Sequence, residues 1–220
     1  MDEKRKKLII IGASGHGKVV ADIASLNGYT DIVFLDDDEN LKECGGYPVI
    51  GKTAEAYNMD GDKIVAIGNA RTRERIQNNL QTITLIHPDA VIAHDVVIGE
   101  GTVIMAGVII NSYTRIGRGC IINTASSVDH DCKLNDYVHV AVGSHICGTV
   151  SVGDRTWIGA GATVSNNIEI GNDVTVGAGA VVVKDIRESG TYIGVPARIM
   201  EKMIVQENSP SEQNRGYNTR

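Results

Sequence analysis

A histidine held between two aspartates is the clearest candidate for chemistry in this sequence. His130 follows Asp129 and precedes Asp131. An imidazole titrates near neutral pH and can take a proton from an attacking group, and a neighbouring carboxylate makes it a stronger base. The pattern indicates a general base, although a surface histidine among charged residues, without a catalytic role, would have the same sequence.

A glycine-rich segment near the start of the chain is the second candidate. Gly12, Gly15 and Gly17 follow an apolar run and precede a helical pattern. Glycines let the backbone approach a phosphate, and a helix N-terminus offers free N–H groups. The spacing G-x-x-G-x-G differs from the dinucleotide pattern G-x-G-x-x-G, so the segment predicts either a phosphate site or a plain tight turn.

Three further residues follow predicted strands on the same edge. Asp36 and Asp37 close the second strand, and Gly68 closes the third. Ligands of open α/β sheets bind at the carboxyl ends of the strands. These residues therefore extend the candidate site formed by the glycine-rich segment.

The first half of the chain alternates between strand and helix patterns. Apolar runs predict strands over 8–11, 32–35 and 63–67, and apolar stripes predict helices over 19–26 and 71–80. This alternation is typical of a small Rossmann-like parallel sheet. We expect this α/β domain to span residues 1–85.

A six-residue repeat dominates the second half. Every sixth residue from Ile86 is a branched aliphatic, without a slip in phase. The positions are Ile86, Ile92, Ile98, Ile104, Ile110, Ile116, Ile122, Val128, Leu134, Val140, Ile146, Val152, Ile158, Val164, Ile170, Val176 and Val182. Small or β-branched residues occupy the position four residues later in each unit, and glycine often follows the aliphatic residue.

This period matches neither a helix nor a flat strand, but it is typical of a hexapeptide parallel β-helix. Three units form one triangular coil of about 18 residues, with the aliphatic residue inside and glycine at corners that need a positive φ. A narrow interior explains why aromatic residues make up only 4% of the chain. We expect this all-β domain over 86–185 and a short C-terminal segment over 186–220, with a disordered polar end from Gln206.

Composition excludes several classes of protein. The chain has 21 Lys and Arg against 27 Asp and Glu, a net charge of −6, which argues against nucleic-acid binding. The four cysteines show no C-x-x-C spacing, so neither a disulfide framework nor a zinc site is indicated. With no apolar stretch long enough for a membrane span and no secretory signal, we expect a cytoplasmic protein.

Several motifs together resemble one family, the bacterial sugar N- and O-acetyltransferases that join a nucleotide-sugar-binding domain to a left-handed β-helix. This family includes enzymes of bacillosamine synthesis and sialic acid O-acetyltransferases. The motifs are Gly12–Gly17, Phe34–Asp37, Ala66–Asn69, Asn123–Asp131, Val138–Val140 and Gly194–Ala197.

The resemblance implies a role for each matching residue. It implies that His130 is the general base, that Asp131 tunes it, and that His139 contacts acetyl-CoA across a subunit boundary of a homotrimer. Ala160 and Ala178 would line the coenzyme groove. The implied contacts to the nucleotide sugar are Ser14, Gly15, His16, Asp36, Asp37 and Gly68.

The implied activity is direct, metal-free transfer of acetyl from acetyl-CoA to the amine of a UDP-amino-sugar, of the UDP-4-amino-4,6-dideoxy-N-acetylhexosamine type. O-acetylation of sialic acid or of a surface polysaccharide sugar is the alternative within the same fold. A non-catalytic, trimeric nucleotide-sugar-binding scaffold is the alternative from another class. An NAD oxidoreductase is disfavoured by the loop spacing.

Overall fold

An α/β sheet forms the first part of the computed structural model, which describes residues 6–200. Its elements are β1 (Lys7–Ile11), α1 (Gly15–Leu26), β2 (Asp31–Leu35), β3 (Glu43–Cys44), β4 (Tyr47–Gly51), a 3₁₀ helix (Thr53–Asn58), β5 (Asp62–Val65) and α2 (Ala70–Gln77). The five strands lie in the order β3-β4-β2-β1-β5, with the apolar β1 in the interior.

The predicted strands and helices of this domain are present with shifted ends. β5 ends at Val65 rather than at residue 67, and α2 begins at Ala70, where the Asn69 side chain accepts a hydrogen bond of 2.9 Å from the Thr72 backbone N–H. The hairpin β3–β4 was not predicted. It lacks an apolar run and contains Pro48, which has no backbone N–H to donate and lies one residue before Val49, where pairing with β2 begins.

The second part is a three-sided parallel β-helix of the left-handed type, which confirms the prediction from the six-residue repeat. Along each side a strand pairs in parallel with the strand 18 residues away, as in Ile109 with Ser127; at the end of face 1, Gly190–Ile193 and Arg198–Ile199 form an antiparallel pair instead. Face 1 contains Leu85–Ile86, Val103–Ile104, Ile121–Ile122, His139–Val140, Trp157–Ile158, Val174–Val176, Gly190–Ile193 and Arg198–Ile199. Face 2 contains Val91–Ile92, Ile109–Ile110, Ser127–Val128, His145–Ile146, Thr163–Val164 and Val181–Val182. Face 3 contains Val97–Ile98, Arg115–Ile116, Lys133–Leu134, Ser151–Val152 and Glu169–Ile170.

The repeat positions form the interior as the sequence predicts. The aliphatic residues from Ile104 to Val182 are buried, and the first three pack against them with partial exposure. The small positions from Thr102 to Ala180 are buried as well, and inward hydroxyls are satisfied locally: Thr114 Oγ1 donates to the Asp129 carbonyl at 2.7 Å. Buried polar groups with such partners cost little stability.

The glycines that follow the aliphatic residues have a different role from the one expected. Positive φ angles occur two positions further on, and many of these residues are not glycine; Tyr113, Ala125 and Asp131 are examples. The glycines after the aliphatic position permit close stacking instead, since a Cβ on Gly99 would lie 2.5 Å from the Arg118 nitrogen of the next coil. Coil spacing, rather than corner geometry, therefore selects them.

The described part of the C-terminal segment extends face 1 through Gly190–Ile193 and Arg198–Ile199, joined by a turn at Gly194–Ala197. The predicted disordered end from Gln206 lies outside the described residues. No helix within residues 6–200 is both long and apolar enough to cross a membrane.

The two parts meet where α2 packs on the corner between faces 3 and 1. Gln77 donates a hydrogen bond of 3.0 Å to the Glu100 carbonyl, and the Tyr137 hydroxyl donates one of 3.1 Å to Asn78. Apolar residues from both parts also share one core, in which Leu85 and Ile121 of the β-helix contact the layer of α1. The shared core and these hydrogen bonds together hold the carboxyl ends of the strands of the α/β sheet beside face 1 of the β-helix.

Candidate active site

His130 lies exposed on the corner between faces 2 and 3. Its Nδ1 is 2.7 Å from Oδ2 of Asp131, a residue with a φ of +57°. This hydrogen bond and then the charge of Asp129 raise the pKa of His130 above its ordinary value. Because Nδ1–H donates this hydrogen bond to the Asp131 carboxylate, Nε2 is the nitrogen left to accept a proton from a substrate.

Asp129 is held in place as a fixed negative charge. Its Oδ1 accepts hydrogen bonds from Asn111 Nδ2 at 2.7 Å and from the His130 backbone N–H at 2.9 Å. The bond from Asn111 is the main reason that the pKa of Asp129 is lowered. The histidine therefore stands between two carboxylates, of which one contacts its ring and the other its backbone.

The ring of His130 extends over the next coil, where Gly148 leaves room for it. A Cβ at residue 148 would lie 2.7 Å from both Cε1 and Nε2 of the imidazole. Gly148 itself is buried even though it lies on a corner. The absence of a side chain at this position is therefore part of the geometry of the histidine.

The same dipeptide occurs two coils earlier without this geometry. His94 and Asp95 occupy the same corner of the β-helix, but no hydrogen bond joins their side chains in the described structure. The carboxylate contact is therefore a property of the His130 coil and not of the repeat.

The glycine-rich loop presents an open helix N-terminus. α1 begins at Gly15 after Ser14, both exposed, and no side chain caps the helix. A Cβ on Gly15 would meet nothing within 4 Å, whereas one on Gly17 would lie 2.3 Å from the Gly12 carbonyl oxygen. Gly17 thus serves packing, and Gly15 faces the open space that an anion could occupy.

The two aspartates after β2 hold the backbone around this loop. Asp36 accepts hydrogen bonds from the N–H groups of Ala13 at 2.7 Å and Asp38 at 2.9 Å, and Asp37 accepts one from Thr53 at 3.0 Å. Asp36 also lines a cavity of about 340 Å³ beside β4. Both carboxylates therefore shape the edge of the sheet, and Asp36 additionally borders open space.

A second cavity, of about 270 Å³, lies between the two parts of the chain. The strand end at Gly68 and the start of α2 form one wall, and face 1 of the β-helix forms the other. Its lining residues are Gly68, Asn69, Ala70, Arg71, His139, Arg155, Thr156, Trp157, Asp173 and Thr175.

His139 lines this cavity as a neutral imidazole. Its ring stacks on Trp157, with centroids 5.2 Å apart and planes within 7°, and Nε2 lies 3.2 Å from Asn123 Nδ2. Burial, then the charge of Arg73, lowers the pKa of His139 to about 3. Burial, and then the charge of Arg73, also lowers the pKa of His16, to about 4.

The structure groups some of the predicted site residues and separates others. Gly68 and His139 share one cavity, and His16 is close enough to act on the pKa of His139. His130 and Asp131 lie on another corner of the same chain. Ala160 and Ala178 are exposed on consecutive coils of the corner between faces 1 and 2, where the Gly179 N–H bonds the Ala160 carbonyl at 2.9 Å.

Sequence reasoning missed Trp157 and Arg73. Trp157, the one tryptophan of the chain, is 49% exposed at an outward position of face 1, and its uniqueness among the small repeat residues could have marked it. Arg73 lies on a polar helix whose sequence gives no sign that it is buried. Within the described residues, no group of three or more His, Cys, Asp or Glu side chains could hold a metal ion.

A left-handed hexapeptide β-helix that carries an exposed histidine–carboxylate pair is typical of acyltransferases. Family models agree: residues 7–80 match the PglD N-terminal domain, and residues 149–184 match the bacterial transferase hexapeptide (six repeats).

Solved structures match over most of the chain. The acetyltransferase domain of PglB from Neisseria gonorrhoeae FA1090, in complex with acetyl coenzyme A, is 40% identical with a TM-score of 0.86; the match covers 89% of this chain and 100% of that one. A histidine variant of perosamine N-acetyltransferase from Caulobacter crescentus, in complex with CoA and GDP-perosamine, is 37% identical with a TM-score of 0.85, covering 89% and 97%. The chain therefore belongs to the PglD-like family of hexapeptide-repeat acetyltransferases, which confirms the resemblance and the acyltransferase class.

A curated relative matches over a shorter stretch. UDP-N-acetylbacillosamine N-acetyltransferase of Bacillus subtilis (strain 168) is 38% identical over an alignment of 112 residues, and the match covers 46% of this chain and 52% of that protein. The match spans about half the length of this relative.

Proposed function

We propose that this chain is an acetyl-CoA-dependent N-acetyltransferase that acts on the amino group of a UDP-amino-sugar, with His130 as the general base. The observation that carries the proposal is the His130–Asp131 pair, whose hydrogen bond of 2.7 Å leaves Nε2 free to accept a proton. The family membership supplies the acyl-transfer chemistry, and the relatives supply the substrate class.

The proposed reaction is a direct transfer. The amine nitrogen attacks the thioester carbonyl, a C–N bond forms, and the carbonyl oxygen becomes an oxyanion. Nε2 of His130 takes the proton from the attacking nitrogen. The C–S bond then breaks, and the proton passes to the sulfur of CoA, so that amide and free thiol are the products.

The open N-terminus of α1 supports a diphosphate site at Ser14 and Gly15. From there the sugar would reach toward Gly68 and the cavity lined by His139. We propose that the thioester end of acetyl-CoA contacts His139 and that its pantetheine arm follows the exposed backbone at Ala160 and Ala178. Asp36 and Asp37 would shape the nucleotide side through the loop contacts described above.

A homotrimer is part of the proposal, because His130 and His139 lie on different sides of one chain. The outward row of face 2 carries no Lys, Arg, Asp or Glu: Val91, Ile109, Ser127, His145, Thr163 and Val181. Val91 is 65% exposed in a single chain. Exposed apolar surface of this kind favours contact with a second copy. The cytoplasmic location stays a prediction.

An assay with a panel of nucleotide sugars tests the proposed activity. Acetyl-CoA is mixed with UDP- and GDP-linked 4-amino-4,6-dideoxy sugars and with the matching 4-hydroxy sugars, and thiol release and product mass are followed. We expect turnover of the UDP-linked amine. Preferential turnover of a hydroxy sugar would support O-acetylation, and sugar binding without any thiol release would support a scaffold.

Replacing Asp131 with asparagine should shift the pH dependence of kcat/KM. The carboxylate raises the pKa of His130. As the pH falls, the base is therefore protonated, and activity is lost, at a higher pH than for an ordinary histidine. Asp131→Asn removes this effect, and we expect the acidic limb of the pH profile to move to lower pH. A profile with an unchanged acidic limb would contradict the role of Asp131.

A further inference from the structure

Arg73 is completely buried where α2 meets the β-helix. Its guanidinium donates to four backbone carbonyls from both parts of the chain. Nη1 bonds the carbonyls of Ile67 at 2.8 Å and Gly68 at 2.9 Å, Nε bonds that of Gly119 at 2.7 Å, and Nη2 bonds that of Tyr137 at 2.9 Å.

No carboxylate balances this charge within residues 6–200, since the ion pairs found there do not include Arg73. Burial lowers the pKa of Arg73 to about 10, so the side chain remains charged at neutral pH. A buried charge without a counter-ion is costly, and a neutral amide can join the same surfaces, as Gln77 does one turn later. The cost suggests a role beyond docking.

The four carbonyls connect Arg73 to both walls of the cavity. Gly68 lines the cavity from the sheet side, and Tyr137 precedes the cavity-lining His139 by two residues. The guanidinium is planar with fixed donor directions, so it sets the separation of the segments that it joins. Arg73 thus links the strand end at Gly68 in the α/β sheet with the coil of the β-helix that carries His139.

We propose that Arg73 is a positioning residue that holds the strand end at Gly68 and the coil of His139 in fixed register across the cavity. The inference rests on the proposed function, because it assumes that acceptor and thioester meet in this cavity. Arg73 contacts neither substrate in this scheme. It acts through the backbone on both sides, and Arg73→Lys separates this action from the effect of its charge on His139, because lysine keeps the charge.

The test compares Arg73→Lys and Arg73→Gln with Gln77→Met. Gln77→Met is a matched control, since it removes a tie between the same helix and the same corner that reaches Glu100 rather than the cavity walls. We expect both Arg73 variants to lose about 10- to 100-fold in kcat/KM, because small displacements of reacting groups cost that much. Arg73→Lys should not rescue activity, since a single ammonium group cannot reach the four carbonyls that the planar guanidinium joins.

Two measurements separate positioning from stability. Thermal unfolding identifies folded samples, and we expect Gln77→Met to lower the melting temperature while keeping kcat/KM within about twofold of wild type. The fluorescence of Trp157, which stacks on His139, reports the cavity wall directly and should change in the Arg73 variants only.

Folded Arg73 variants with wild-type kcat/KM would overturn the positioning role and leave the proposed function intact. Equal losses in Gln77→Met would also overturn it, since docking alone would then explain the effect. If one Arg73 variant does not fold, the other decides the question, since glutamine keeps two N–H donors and lysine three. Failure of both variants to fold would assign Arg73 to stability and refute the proposal. Absence of turnover in the wild-type protein would instead refute the proposed function.

Discussion

Replacement of His130 with alanine should lower kcat by about 10²- to 10⁴-fold, the range that a positioned general base contributes. The attacking amine would then have to lose its proton to water. Because His130 is exposed, and its ring bonds the adjacent Asp131 and lies over Gly148, we expect folding and binding of the nucleotide sugar to be unchanged. Steady-state kinetics with acetyl-CoA and the preferred amino sugar measures the effect.

His94→Ala is the matched control for this experiment. His94 lies on the same corner two coils earlier and is also followed by an aspartate. We expect its removal to leave kcat within about twofold, as for surface substitutions in general. Near-wild-type turnover in His130→Ala would remove the proposed base, and equal losses in both variants would indicate damage to the β-helix rather than to the chemistry.

The β-helix could be predicted from sequence because its interior is periodic. Each six-residue unit places one residue inside the coil, so a branched aliphatic such as Ile110 or Val128 is required there whatever surrounds it. The roles of the glycines were harder to predict. Close approach of a neighbouring coil and a positive φ both select glycine, and the sequence does not separate the two causes, as Gly99 shows.

The site was only partly predictable. The His130–Asp131 contact joins adjacent residues, so local sequence contains it. The cavity instead brings Gly68 together with His139, 71 positions later, and this depends on how α2 docks on the β-helix. Arg73 makes that docking specific by donating hydrogen bonds to backbone carbonyls. Because every residue type has such a carbonyl, the sequence does not show which residues will accept these bonds.

The two histidines of the proposed reaction have opposite environments. His130 is exposed beside two carboxylates, which raise its pKa, whereas His139 is buried near a guanidinium, and its pKa is lowered. One imidazole is thus suited to accept a proton, and the other stays neutral and can offer a hydrogen bond without adding charge. Such divergence within one site is a common basis for dividing roles between like residues.

Mixing the His130→Ala and His139→Ala variants should raise activity above that of either variant alone if each site combines residues from two protomers. In the proposed trimer, His130 comes from one protomer and His139 from its neighbour. Trimers formed at random from equal amounts of His130→Ala and His139→Ala chains would contain both native histidines in about a quarter of their sites, since each protomer of a directional pair is correct half of the time. Co-expression of the two chains at equal levels, followed by purification of all trimers through one shared tag and by kinetics, measures the recovery.

The same mixture separates this arrangement from a site within one chain. If His130 and His139 of a single protomer acted together, every chain in the mixture would lack one of them, and the rate would stay at the level of the single variants. Each variant purified alone sets that baseline. A trimer of the wild-type chain with the His130→Ala chain provides the upper reference, because half of its sites keep both histidines under either arrangement. Recovery to about half of that reference would show that neighbouring protomers share the site.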